Sequence, residues 1–115
     1  NFWATWCGPC LMELPSLVAL RDSFSREELF MVGVPFDYDP NMLKEFLAAH
    51  SLNYSVYLAD PKIMTDLGIA AIPKTLLLDR EGAVVVDQDG LAEYEHLYRA
   101  VRQALDTLPH EDSAQ

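Results

Sequence analysis

The chain carries two cysteines, Cys7 and Cys10, three residues apart within the run Trp6-Cys7-Gly8-Pro9-Cys10. Where such a run passes from a strand into a helix, this spacing sets one sulfur at the first helical turn. The other lies one turn further along the same face. The outer thiol then meets backbone N–H groups with no partner and the positive end of the helix dipole. Both favour thiolate over thiol, the condition for attack on a disulfide. Pro9 suits the first helical turn, where a missing N–H costs nothing. The residue types and spacing therefore describe a reactive dithiol, with Cys7 as the outer nucleophile and Cys10 as the inner, resolving thiol.

Other uses of two cysteines fit less well. A structural disulfide closing so small a loop removes little denatured-state entropy. A zinc half-site needs a second ligand pair, and His50, His96 and His110 are scattered, so no metal ligand is assigned. Covalent haem attachment needs His directly after the second Cys, where this chain has Leu11. A lone peroxidatic Cys in a Pro-x-x-x-Thr/Ser-x-x-Cys setting is absent. Presentation of both thiolates to Cu(I), as in a metallochaperone, stays open as a second reading, since soft thiolates suit that ion; no third ligand stands nearby in sequence.

The surrounding 115 residues, half of them hydrophobic, suffice for one domain with a core of its own. No apolar run approaches the roughly 20 residues of a membrane span. With Lys+Arg 8 against Asp+Glu 18, the net charge of −10 disfavours nucleic acid or an anionic membrane surface as partner. The acids are spread along the chain, as on a solvated surface. The opening Asn1-Phe2-Trp3-Ala4-Thr5 reads as the tail of a central strand, truncated at its N-terminal side, as in a domain excised from a longer polypeptide or a trimmed one. A domain over 1–109 and a loose polar tail over 110–115 are expected.

The elements that must position the dithiol follow from pattern. A helix is predicted from Pro9 to about Ser25, with Leu14, Leu17, Val18 and Phe24 inward and a kink at Pro15. The apolar run within Glu28 to Phe36 predicts a strand covered on both faces. Asp39-Pro40 starts a helix carrying Leu43, Phe46, Leu47 and His50 on one face, and a short strand follows near Tyr54 to Leu58. Asp60-Pro61 opens a short helix that stops at Gly68. Thr75 to Asp79 forms a hairpin with Ala83 to Val86 across Arg80-Glu81-Gly82. A last helix runs from about Ala92 to Leu108 on Tyr94, Leu97, Tyr98, Val101 and Leu105. The order β-α-β-(α-β)-α-β-β-α predicts an α/β domain, a mixed sheet with helices on both faces.

The Trp-Cys-Gly-Pro-Cys run at a strand–helix junction resembles the thioredoxin superfamily, and the likeness extends from Asn1 to Leu108. Cys-x-x-Cys-x-x-Glu-x-Pro, ending at Glu13 and Pro15, is similar to the TlpA/ResA/DsbE-like branch, as is the α-β insertion from Pro40 to Leu58. The resemblance implies a thioredoxin-like fold and thiol–disulfide oxidoreductase activity with no cofactor beyond the dithiol. Through the Gly-Pro pair it implies a lean towards reducing protein disulfides. It implies a disulfide-bearing protein substrate, an upstream thiol donor, and a periplasmic or otherwise extracytoplasmic place, with a membrane tether outside this sequence.

It also implies site residues. Ile72-Pro73 stands where the superfamily carries its cis-proline, with Pro73 opposite the dithiol and the Ile72 backbone free to pair with an extended substrate; an ordinary loop proline before a strand is the alternative. Trp6 would shield the sulfurs. Glu13 would take the proton of Cys10 during resolution, the alternative being a solvated acid near the helix start. Plain thioredoxin has a buried Asp where this chain has Asn1, which cannot accept a proton, so Glu13 is the remaining candidate. Lys74 follows Pro73 where a Thr is more usual, and has either the groove or solvent open to it.

Overall fold

A computed structural model describes residues 1–37 and 39–107. Its elements are β1 (Phe2–Trp3), α1 (Gly8–Ser23), β2 (Val32–Pro35), α2 (Pro40–Ala49), β3 (Ser55–Val56), α3 (Pro61–Asp66), β4 (Lys74–Leu78), β5 (Val84–Asp89) and α4 (Tyr94–Asp106). The order is the predicted one. The sheet runs β3-β2-β1-β4-β5, with β1, β2 and β3 parallel and β4 and β5 antiparallel to their neighbours. This is a thioredoxin-like α/β fold with a mixed sheet, and β1, the strand leading to the cysteines, lies at its centre.

Period-2 alternation sends the two residues of β1 to opposite faces. Phe2 packs with Met64 of α3 and Ile69, while Trp3 packs with Cys10 of α1 and Leu43 of α2. Trp3 is fully buried, with its ring 5.4 Å from that of Phe46. Gly33 of β2 makes room for this: a Cβ there would stand 3.1 Å from both Trp3 Nε1 and Tyr54 Cε1. The larger cluster joins Leu14, Leu17 and Leu20 of α1 to Leu97 and Val101 of α4.

The helix starts follow local chemistry. Asp39 and Asp60 each accept the backbone N–H two residues on, from Asn41 and Lys62 at 2.9 Å, and Pro40 and Pro61 stand first in α2 and α3. Gly68 turns the chain after α3 with φ 69°. α1 continues through Pro15, which lies on its exposed side, where water can serve the carbonyl a proline leaves unpaired. Arg21 closes α1: its guanidinium donates to the carbonyls of Leu29, Phe24 (2.8 Å) and Ser25 (3.0 Å).

Strand extents differ from expectation. β2 covers only Val32–Pro35, and Phe30 is 74 % exposed, so the apolar run is not a strand sheathed on both faces. Pairing decides this: β1 meets β2 through Phe2↔Val34 and Trp3↔Pro35, and residues before Val32 have no partner strand. β5 in turn extends beyond Val86 to Asp89. Lys74 makes the acidic continuation tolerable, holding Asp87 at 2.5 Å and Asp89 at 3.0 Å across the hairpin. Lys74 is thus engaged by two carboxylates of β5 and is not free in solvent. The C-terminal limit of the last helix at Leu108, the domain end at 109 and the polar tail fall outside the described residues. Among the described residues no helix is long and apolar enough to cross a membrane.

Candidate active site

The site is made where β1 hands over to α1. After Trp3 the chain makes a tight turn in which the Cys7 N–H donates to the Ala4 carbonyl at 3.2 Å. Cys7 is the N-cap of α1, extended at φ −100°, and its Sγ accepts the Cys10 N–H at 3.3 Å. The two residues are joined in a disulfide with Cα atoms 5.2 Å apart. Both are buried, and Cys7 at 7 % exposure is the more accessible residue against Cys10 at 1 %. A thiolate at Cys7 would keep the same N–H donor and the same helix end.

The Ile72–Pro73 bond is cis. The Ile72 carbonyl oxygen lies 4.0 Å from Cys7 Sγ, the Ile72 side chain packs against the cluster containing both cysteines, and Pro73 is buried. The structure thus brings Cys7, Cys10 and Ile72 together. Trp6 is 62 % exposed and stands at the rim of the site. Among the described residues no group of three or more His, Cys, Asp or Glu side chains gathers as metal ligands do.

Glu13 is the inward acid of α1, one turn beyond Cys10, and is fully buried; the solvated alternative is excluded. Its carboxylate accepts the Ala92 N–H at 2.6 Å and the Asn1 Nδ2 at 2.8 Å. Burial disfavours the charged form and pushes its pKa above the ordinary 4.5, against the opposing pull of these two donors. Asn1 Nδ2 also lies 3.0 Å from Thr75 Oγ1 on β4, so one amide ties β1 to α1 and β4. Tyr54 closes this region, its hydroxyl pKa pushed above the ordinary phenol value, first by burial and then by the Glu13 charge.

Sequence reasoning missed Glu13's partners. Ala92 is 79 positions away and contributes only a backbone N–H, which no residue type signals. It also missed Asp37, buried at 6 % just after β2 with its carboxylate on Thr5. The two acids of Asp37-Tyr38-Asp39-Pro40-Asn41 look alike as loop polarity, and nothing local separates the buried one.

Comparison with known proteins agrees with this geometry. The Redoxin family model matches residues 1–101. The thiol:disulfide interchange protein HelX of Rhodobacter capsulatus is 34 % identical over 87 residues, which is 74 % of this chain and 47 % of that protein. The thiol-disulfide oxidoreductase ResA of Bacillus subtilis is 29 % identical over 86 residues, 74 % of this chain and 48 % of that protein. The chain spans about half the length of these curated relatives. Among solved structures, a thiol:disulfide interchange protein from Chlorobium tepidum superposes with a TM-score of 0.80 at 28 % identity, covering 91 % of this chain and 77 % of that one. StoA from Bacillus subtilis gives 0.78 at 25 % identity, covering 86 % and 77 %. With its family model matched over most of its length, its five-stranded mixed sheet and its Cys-Gly-Pro-Cys helix start, the chain belongs to the Redoxin family, in the thioredoxin-like TlpA/ResA/DsbE branch.

Proposed function

We propose that this domain, residues 1–109, is a thiol–disulfide oxidoreductase that reduces protein disulfides outside the cytoplasm. The observation that carries the reading is the Cys7–Cys10 pair at the start of α1, with Cys7 as N-cap and Cys10 beneath it. In the reduced protein the Cys7 thiolate attacks one sulfur of a substrate disulfide. A Cys7–substrate bond forms and one substrate thiolate leaves. Cys10, passing its proton to Glu13, then attacks Cys7 Sγ as a thiolate; the Cys7–substrate bond breaks and the second substrate sulfur leaves as a thiolate, which takes its proton from solvent. Two electrons pass to the substrate, and the protein ends as the Cys7–Cys10 disulfide. A thiol donor of the same chemistry restores the dithiol.

Ile72 and Pro73 are the substrate-binding residues of this reading, with Trp6 as an apolar contact at the rim. The Ile72 backbone lies close enough to Cys7 to pair with an extended peptide whose cysteine is being attacked. The Gly-Pro pair between the cysteines is that of thioredoxin, whose couple lies at about −270 mV, and it supports the reducing direction. Membership of the TlpA/ResA/DsbE branch supports an extracytoplasmic place.

Alkylation and trapping test the assignment. Reduced protein exposed to iodoacetamide at neutral pH should be modified at Cys7 first. Cys10→Ser should accumulate a mixed disulfide with a protein substrate, and Cys7→Ser should form none. Preferential modification of Cys10, or trapping by Cys7→Ser, overturns the order of attack.

A further inference from the structure

The nucleophile hangs on a turn of four residues, Ala4 to Cys7, and one side chain from another element grips that turn. Phe36, just past β2, donates its N–H to the Trp3 carbonyl at 2.7 Å, carrying the β1–β2 ladder to its end. The next residue, Asp37, is 94 % buried in the sense that only 6 % of its surface meets solvent. One carboxylate oxygen accepts the Thr5 N–H at 3.0 Å, and the other accepts the Thr5 hydroxyl. Both oxygens are thereby spent on one residue, the second of the turn. A buried carboxylate held by two donors is a costly device for fixing a loop that the Cys7 N–H already closes on Ala4. The fourth residue of that turn is Cys7.

We infer that Asp37 and Thr5 form a positioning pair for the Cys7 nucleophile, gripping the strand-to-helix turn so that Cys7 Sγ stays over the Cys10 N–H and beside the Ile72 carbonyl. The inference rests on the thiol–disulfide exchange proposed above. Cys7 must satisfy two neighbours at once, the Cys10 N–H at 3.3 Å and the Ile72 oxygen at 4.0 Å, and they belong to different parts of the chain. Formation of a disulfide holds Cys7 from the helix side; reduction removes that bond and leaves the turn to hold it. Asp37 reaches the turn from the sheet side through contacts that do not involve the disulfide, so its grip should count most in the dithiol, the form that attacks. Small losses of alignment at a reacting atom are amplified in rate. Asp37 touches no reacting atom, and its part is positional.

The test uses reduced protein and two probes, a small aromatic disulfide such as dithiobis(nitrobenzoate) and iodoacetamide. Thr5→Val removes one donor without changing charge, and Asp37→Asn removes one strong acceptor. Each should slow attack on the small disulfide about three- to tenfold, the weight of one hydrogen bond, with iodoacetamide alkylation of Cys7 slowed in step. The double variant should be no slower than the slower single, because the two side chains act as one unit. Thr5→Ser keeps the hydroxyl and should return to within about twofold of wild type, a rescue that general loss of packing would not give. Unchanged rates in Thr5→Val and Asp37→Asn, multiplying effects in the double variant, or Thr5→Ser as slow as Thr5→Val would each overturn the pairing. Faster alkylation in Asp37→Asn with no change in Thr5→Val would show action through charge and would also overturn it. If Asp37→Asn does not fold, the Thr5→Val and Thr5→Ser comparison decides. A wild type alkylated at Cys7 yet inert towards disulfides would sink the exchange reading alone, and the alkylation series would still judge the grip.

Discussion

Replacing Glu13 by Gln separates two steps that share one dithiol. The carboxylate sits one helical turn from Cys10 with no solvent contact, so the amide enters the same space with nearly the same volume. Gln Oε1 can still accept the Ala92 N–H. The Asn1 amide, whose Oδ1 has no partner, can turn over to accept from the new NH₂. The fold is therefore preserved while the proton acceptor is lost. General-base help of this kind is worth about 10²–10⁴-fold, so resolution of the mixed disulfide by Cys10 should slow by that factor. Attack by Cys7 uses a thiolate already stabilised at the helix start and should change by no more than about twofold. Stopped-flow mixing with a fluorescent disulfide substrate resolves the two phases. Equal resolution rates in Glu13→Gln and wild type would refute the argument and leave Glu13 as a buried structural acid.

The same substitution has a stability signature with a definite sign. Burial, the largest influence, raises the Glu13 pKa in the folded protein above 4.5, so the native state holds this proton more tightly than the unfolded chain does. The neutral carboxyl contributes fully below the unfolded value. That contribution is lost as pH rises through the folded value and is constant above it. Urea unfolding of the oxidised protein at acid and at mildly alkaline pH should show wild type losing stability across this window relative to Glu13→Gln. The opposite slope would mean that the two donors outweigh burial.

Three further outcomes follow from the packing. Glu13→Ala leaves the Ala92 N–H and the Asn1 amide without their acceptor beside a new cavity, and should cost about 3–5 kcal/mol in urea unfolding. Arg21→Met keeps the apolar stem but removes the donors to three carbonyls around the end of α1; calorimetry should show a loss of about 2–4 kcal/mol, with thiol chemistry unaltered. Gly33→Ala drives a methyl to 3.1 Å from both Trp3 and Tyr54 and should cost about 1–3 kcal/mol, measured by denaturant titration; a neutral result would mean that β2 yields more easily than a central strand should.

How far the sequence could be read depended on whether each feature was local. Asp39-Pro40 and Asp60-Pro61 announce helix starts because cap and first turn lie within three residues, and both caps form. The strand before Phe36 could not be bounded that way, since its length is set by which residues of β1 stand opposite it. Asp87 and Asp89 looked like the polar end of a hairpin, yet both lie in β5 because Lys74, thirteen and fifteen residues earlier, answers their charge. The dithiol was legible whole, being five consecutive residues. The helix face of Glu13 followed from spacing, but its depth did not: that depends on Asn1 and Ala92, contributed by β1 and by the segment before α4.

In the proposed exchange, Glu13 serves the buried Cys10 thiol from a helix instead of a strand. With Asn at the head of β1, the carboxylate comes from α1, the helix that carries Cys10. Three residues of helix fix their separation at about 4.5 Å of rise, whatever the sheet does. The sheet and the segment before α4 supply the donors that oppose burial. An acid in open solvent would keep its ordinary pKa and be too weak a base for a thiol. One buried without donors would hold its proton and accept none. In Glu13, burial raises the affinity for a proton while the Ala92 N–H and the Asn1 amide oppose that rise, and a raised affinity is the direction that the proposed proton transfer from Cys10 requires.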